Sequence, residues 1–298
     1  MKITITGSLG HIGKPLTQTL VKEGHAVTVI TSKSERQKDI EALGAVPAVG
    51  TLEDVDFLAA AFAGTDAVYT MVPPANYFDH SVDVIPYFHR LGQHYAAAIQ
   101  RSGVKRVVNL STIGGEMEKG SGLLLGAHQV EKILDALPDV IVTQMRPTAF
   151  YYNLYAYAGT IKKDGIIATN YGTKLVPWVS PLDIAAAVAE ELTRPVAAQK
   201  VRYVASEELT GAEVASILGK AIGKPDLRWV IITDDEMQHG LEAVGMNPTS
   251  AAGLVEMYAS LQNGELSADY FRHRPTIMGK VKMADFAKEF AAIIKQNI

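Results

Sequence analysis

The chain has 298 residues, 48% hydrophobic and 20% charged, with a formal net charge of −4. That composition is globular, and it excludes a disordered or fibrous chain. No basic field is present to attract nucleic acid. With no cysteine at all, a disulfide, a thiol nucleophile or a thiolate-bound metal is excluded. No apolar run reaches the ~18 residues of a membrane helix, and no apolar export segment follows Lys2. A cytoplasmic protein without nucleic-acid or membrane partners is therefore expected.

In chain order, residues 2–6 alternate β-branched side chains and stop at Gly7, as a strand does. Residues 11–23 place Ile12, Leu16 and Leu20 four apart, which predicts a helix closed by Gly24. Residues 26–31 read as a buried strand, and 34–43 as a helix closed by Gly44. Residues 45–49 read as a short strand that Pro47 confines to an edge or irregular position. A helix over 54–62 ends at Gly64, and a strand over 66–72 stops at Pro73 and Pro74. A helix over 86–101, a strand over 105–111, a glycine-rich loop over 114–126, a helix over 127–137 and a strand over 140–145 follow. Apolar strands alternating with helices across short connections imply an α/β fold with a doubly wound parallel sheet.

Beyond Arg146 the alternation loosens. Residues 150–162 read as helical, 166–168 and 175–179 as short strands, and 181–193 as an alanine-rich helix. A strand over 200–205, a helix over 210–222 and a strand over 227–232 come next. Helices over 234–244, 249–261 and 283–295 end the pattern. We read residues 1–150 as a dinucleotide-binding domain of Rossmann type. Residues 151–298 read as a smaller substrate-facing lobe that returns one strand to the sheet and packs with the first half as one body.

The stretch Gly7-Ser8-Leu9-Gly10-His11-Ile12-Gly13 leaves the first strand and opens the first helix. One glycine permits a tight or left-handed turn, a second lets a pyrophosphate approach the backbone, and a third lets the helix pack against the sheet. The helix N-terminal amides then face the anion. The second strand ends in Thr31-Ser32-Lys33-Ser34-Glu35-Arg36, with no acid at the strand end to hold a ribose diol. Ser32, Lys33 and Arg36 can pair with a 2′-phosphate, which favours NADP(H), with NAD(H) as the second choice. The alternative is that Lys33 and Arg36 are ordinary solvated charges.

The spacing G-x-x-G-x-x-G resembles that of the NmrA-like group of atypical, extended short-chain dehydrogenases/reductases. The likeness extends through DAVYTMVPP, VVNLSTIGG, AHQVEKIL, MRPTAFYYNL and VPWVSPLDIA, and so spans residues 3–192. It implies that Val72, Pro73 and Pro74 pass beside the adenine ribose. It implies that Ser111 and Thr112 lie beside the nicotinamide ribose, and that Phe150, Tyr151, Tyr152 and Asn153 line the substrate pocket. Where relatives often carry an aspartate that contacts the adenine, this chain has Thr51.

Most short-chain reductases use a Tyr-x-x-x-Lys pair for proton transfer. None of the twelve tyrosines here is followed four residues later by lysine. Registered on the family helix, Leu123 and Ala127 hold those positions. Two proton-handling residues remain as candidates, Tyr152 and His128, the latter with Glu131 three residues on and on the same helix face. The alternative for His128 is a structural ion pair. Asp183 reads as a helix cap or anchor.

A nucleophile elbow, a phosphate-binding GxxxxGK[ST] loop and a zinc spacing among His80, His89 and His94 are all missing. Two functions stay open. One is an NADPH-dependent reductase of a small organic acceptor such as a quinone, dye or enone. The other is a non-catalytic NADP(H) sensor that regulates a protein partner. A sugar-nucleotide epimerase would need the missing pair.

Overall fold

The computed structural model describes residues 1–195 and 200–296; residues 196–199, 297 and 298, all within the second half, lie outside the described residues. The first half runs β1 (Lys2–Ile5), α1 (Gly13–Lys22), β2 (Ala26–Thr31), α2 (Gln37–Ala42), β3 (Val46–Val49), α3 (Val55–Phe62), β4 (Ala67–Met71), α4 (Val84–Ser102), β5 (Arg106–Leu110), α5 (Leu125–Asp135) and β6 (Ile141–Pro147). The second half runs β7 (Ala149–Phe150), α6 (Ala158–Asp164), β8 (Ile166–Thr169), β9 (Val176–Val179), α7 (Pro181–Thr193), β10 (Val201–Val204), β11 (Glu207–Leu209), α8 (Gly211–Ile222), β12 (Arg228–Ile231), α9 (Asp234–Ala243), α10 (Pro248–Asn263), α11 (Ala268–Arg272) and α12 (Met283–Gln296).

Seven strands form one parallel sheet in the order β10-β6-β5-β4-β1-β2-β3. Strand order reverses between β1 and β4, the switch point of a doubly wound sheet. β3 is an edge strand, where the missing amide of Pro47 costs no ladder bond. One face is covered by α1, through Leu16 and Leu20, and by α7, through Ile184, Val188 and Leu192. The other is covered by α3, α4 and α5, through Phe62, Tyr95, Ile99, Val130 and Leu134.

The second half therefore supplies both α7 and β10 to the first half's sheet. α7 starts cleanly because Ser180 caps it and Pro181 takes its first turn, where a missing amide does no harm. The remaining elements build a separate core around Tyr151, Trp178, Leu218, Phe286 and Phe290. Their strands pair in two small sheets, β11-β9-β7 and β12-β8. The span read as one helix over 150–162 is instead β7, a 3-10 segment over Tyr151–Tyr157, and α6. β11 and α11 were not legible in the pattern. Among the described residues no helix is long and apolar enough to cross a membrane.

Candidate active site

The carboxyl ends of the central strands open on one cavity of about 1120 Å³. That volume exceeds the ~300–1,000 Å³ of a single-ligand pocket. Its floor is the glycine turn, and its far wall comes from α9, α10 and the segment after β6.

The turn is built for close approach. Gly7 has φ +86°, and a Cβ there would sit 2.7 Å from Met71 Sδ. A Cβ on Gly13 would sit 2.0 Å from the Ser8 carbonyl oxygen, so helix and turn touch backbone to backbone. Ser8 itself is left-handed, at φ 55°. No side chain caps α1, and Gly10, His11, Ile12 and Gly13 line the cavity beside its exposed first turn. Leu9 instead packs its side chain against the sheet core.

At the end of β2, Ser32 lines the cavity. Arg36 Nη1 donates to Ser8 Oγ at 3.3 Å, and Ser8 Oγ donates to Thr31 Oγ1 at 3.0 Å. This chain of bonds holds a guanidinium against the glycine turn, where a 2′-phosphate can pair with it. Lys33 is exposed, and neither Lys33 nor Arg36 lines the cavity. Thr51 also stays outside the wall. Its hydroxyl accepts from the Glu53 amide, while Gly50 and Leu52 face the cavity.

Across from the turn stand Val72, Pro73, Pro74, Ser111, Thr112, Phe150, Tyr152 and Asn153, all on the cavity wall. The Tyr152 ring stacks on His11, with centroids 4.8 Å apart and planes at 22°, and lies 5.2 Å from Phe150. Burial pushes its phenol up to about 12, so it is a neutral donor at physiological pH.

Of the residues expected at the acceptor end, Tyr151 and His128 are placed elsewhere. Tyr151 is 1% exposed and faces the second core, where its ring stacks on Phe286 and its hydroxyl donates to the Val281 carbonyl. Within the 3-10 segment Tyr151 turns into the second core, while its neighbours Tyr152 and Asn153 turn to the cavity.

His128 is off the cavity wall, and its Nδ1 donates to the Gly115 carbonyl at 2.8 Å. Its expected partner Glu131 is buried and turns to Arg146, with Nη2–Oε2 2.6 Å and Nε–Oε1 2.9 Å, and it also accepts from Ser111 Oγ. A buried carboxylate requires a matched cation, and the guanidinium at the end of β6 is the bidentate one. Glu116 and Asp269 complete this cluster at 3.0 and 3.5 Å from Arg146. Asp183 is an anchor. Its carboxylate accepts from the Lys280 and Val281 amides and from Ser206 Oγ.

Sequence reading missed Tyr69. It lines the cavity from the middle of β4, is 1% exposed, and its buried hydroxyl has no hydrogen-bond partner among the described residues. A tyrosine in an apolar strand reads as core, and only the cavity beside it marks it out. Also missed were Tyr157, Tyr171 and Tyr258. They line the far end, where the Tyr157 hydroxyl meets those of Tyr171 and Tyr258.

An uncapped helix start, a turn that only glycine fits and a guanidinium at the second strand suit a phosphorylated dinucleotide.

Comparisons with known proteins give the fold and the family. An NAD(P)H azoreductase of Xenophilus azovorans is 27% identical over 295 residues, covering 97% of this chain and 98% of that one. The NADPH complex of an NADPH-dependent quinone oxidoreductase from Escherichia coli superposes with a TM-score of 0.80 at 19% identity, over 97% of this chain and 99% of that one. The triphenylmethane reductase of Citrobacter sp. with NADP(H) superposes with a TM-score of 0.75 at 19% identity, over 97% and 99% of the two chains. The family model for NmrA-like proteins matches residues 1–263, from the glycine turn through the far cavity wall, and on that match the chain belongs to the NmrA-like family.

Proposed function

We propose that this protein is an NAD(P)H-dependent reductase, with NADP(H) preferred, that passes a hydride to a small aromatic acceptor of quinone or dye type. The observation that carries the reading is the single cavity that joins the glycine turn to an aromatic wall. Relatives whose names describe azoreductase, quinone oxidoreductase and triphenylmethane reductase activity support it.

In this reading residues 1–150 hold the dinucleotide and residues 151–298 face the acceptor. Gly7, Gly10, Ile12 and Gly13 receive the pyrophosphate. Ser32 and Arg36, with Lys33 at the rim, receive the 2′-phosphate. Val72, Pro73 and Pro74 flank the adenine ribose, and Ser111 and Thr112 the nicotinamide ribose. When bound, the reduced nicotinamide supplies the hydride. Phe150 and Tyr152 stack on the acceptor and exclude water, and Asn153 offers it a hydrogen bond. The neutral phenol of Tyr152 holds a proton for an acceptor oxygen or nitrogen that needs one. Leu123 and Ala127, where the family pair would stand, are cavity wall, so that proton comes from elsewhere or is not required. The partner is a small molecule, and the setting is the cytoplasm.

The test is NADPH oxidation under anaerobic conditions with a quinone and a dye, preceded by a cofactor titration. Tight NADPH binding with acceptor-dependent oxidation is expected. Binding without oxidation across the acceptors would favour the sensing function, since the catalytic pair is missing.

A further inference from the structure

The cavity wall carries a charge pattern that the hydride reading does not require. Among its described residues there is no lysine and no arginine. Its formal negative charge is Glu236, an exposed residue of α9 whose carboxylate also accepts from the Thr233 amide. Its one imidazole, His11, is stacked on Tyr152. Nine aromatic side chains line the space, among them Tyr157, Tyr171, Trp178 and Tyr258 at the far end. Burial drives the phenols of Tyr171 and Tyr258 well above their ordinary range, so they stay neutral.

We propose that the acceptor site selects flat aromatic molecules that are uncharged or cationic and rejects anionic ones. This rests on the reductase reading above. Away from the glycine turn, whose helix-start amides serve the dinucleotide phosphates, an anion drawn against the aromatic wall would lose its hydration and find no cation, which is the costly case of an unpaired buried charge. A cation would meet aromatic faces and Glu236, both attractive. A neutral quinone would find the hydroxyls of Tyr157, Tyr171 and Tyr258. The missing Tyr-x-x-x-Lys pair fits the same class. Hydride addition to the central carbon of a cationic triarylmethane would form one C–H bond there as a C–H bond of the reduced nicotinamide ring breaks, and would yield a neutral leuco product. The positive charge passes to the oxidised cofactor, and no proton is consumed.

The experiment compares 1,2-naphthoquinone with 1,2-naphthoquinone-4-sulfonate, and a cationic triarylmethane with a sulfonated, net-anionic one of the same skeleton. Two readouts are taken on the full protein: NADPH oxidation, and quenching of Trp178 and Trp229, the two tryptophans of the chain. Trp178 lines the cavity, and Trp229 packs against Tyr171. Each sulfonated compound should bind and react about tenfold or more weakly than its partner, as an uncompensated charge requires. Val244→Lys separates charge from bulk. Val244 lies on the wall and is 67% exposed. A cation there should restore binding and turnover of the sulfonates about threefold or more. Equal binding of both members of each pair, or no gain in Val244→Lys, overturns the proposal. Discrimination in quenching without oxidation of any acceptor leaves the charge selectivity standing and removes the reductase reading.

Discussion

His11 of the glycine turn stacks on Tyr152 of the segment after β6, with ring centroids 4.8 Å apart. In the proposed function this contact joins the dinucleotide side of the cavity to the acceptor side, so the two functions proposed for Tyr152 separate by substitution. Tyr152→Phe keeps the ring and its stacking, worth about 0.5–1.5 kcal/mol. NADPH affinity should hold, while turnover with a quinone falls about a hundredfold, the usual contribution of a positioned proton donor. Tyr152→Ala should also weaken NADPH. Steady-state kinetics and cofactor titration on both variants check this.

Arg36 is held against the turn through Ser8. Arg36→Ala should weaken NADPH by about 1.5–3 kcal/mol, the contribution of a hydrogen bond to a charged group. NADH affinity should be unchanged, because NADH has no 2′-phosphate. Fluorescence titration with both cofactors decides it, and equal losses would show that Arg36 acts on the turn alone.

Gly13 has backbone 2.0 Å from where a Cβ would stand. Gly13→Ala must push α1 off Ser8, at a cost of about 1–3 kcal/mol of overpacking strain. The fold should survive with a lower melting temperature, and dinucleotide binding should be lost. Thermal unfolding with and without NADPH reads both, since a bound ligand raises the midpoint.

Glu131 and Arg146 are both buried. Glu131→Gln breaks their bidentate pair, a change that typically costs about 3–5 kcal/mol. The lower end is expected, because Glu116 and Asp269 still face the guanidinium. Urea unfolding should show the midpoint fall at constant slope. By contrast, His128→Ala removes a loop contact to Gly115 and should leave turnover near the native rate.

Tyr69 buries a hydroxyl without a partner. Tyr69→Phe removes an unsatisfied polar atom, so stability should hold or rise by about 1 kcal/mol. If that hydroxyl meets the acceptor or the cofactor, kcat or KM changes while the unfolding midpoint does not fall. Unaltered kinetics would make Tyr69 a plain core residue.

The sequence by itself determined the frame. Strand 26–31 and helix 181–193 match the structure to the residue. Their signals are local: β-branched runs, the Ser180 cap, and glycine or proline at the ends. Pro47 limited β3 to an edge or an irregular position, and the sheet order makes it the edge. The glycine turn was legible for the same reason, since its conformation is set by the residues within it.

Only the tertiary structure decided which side chains meet. Whether Tyr151 or Tyr152 faces the cavity depends on where the second core stands, which periodicity along 150–162 does not tell. The sequence led us to expect one returning strand; that it is β10, with α7 packed beside it, depends on which apolar faces remain uncovered. Glu131 lies three residues from His128, yet it pairs with Arg146, fifteen residues away in sequence. Buried charges are partnered by spatial proximity and desolvation cost, and neither is written in spacing along the chain.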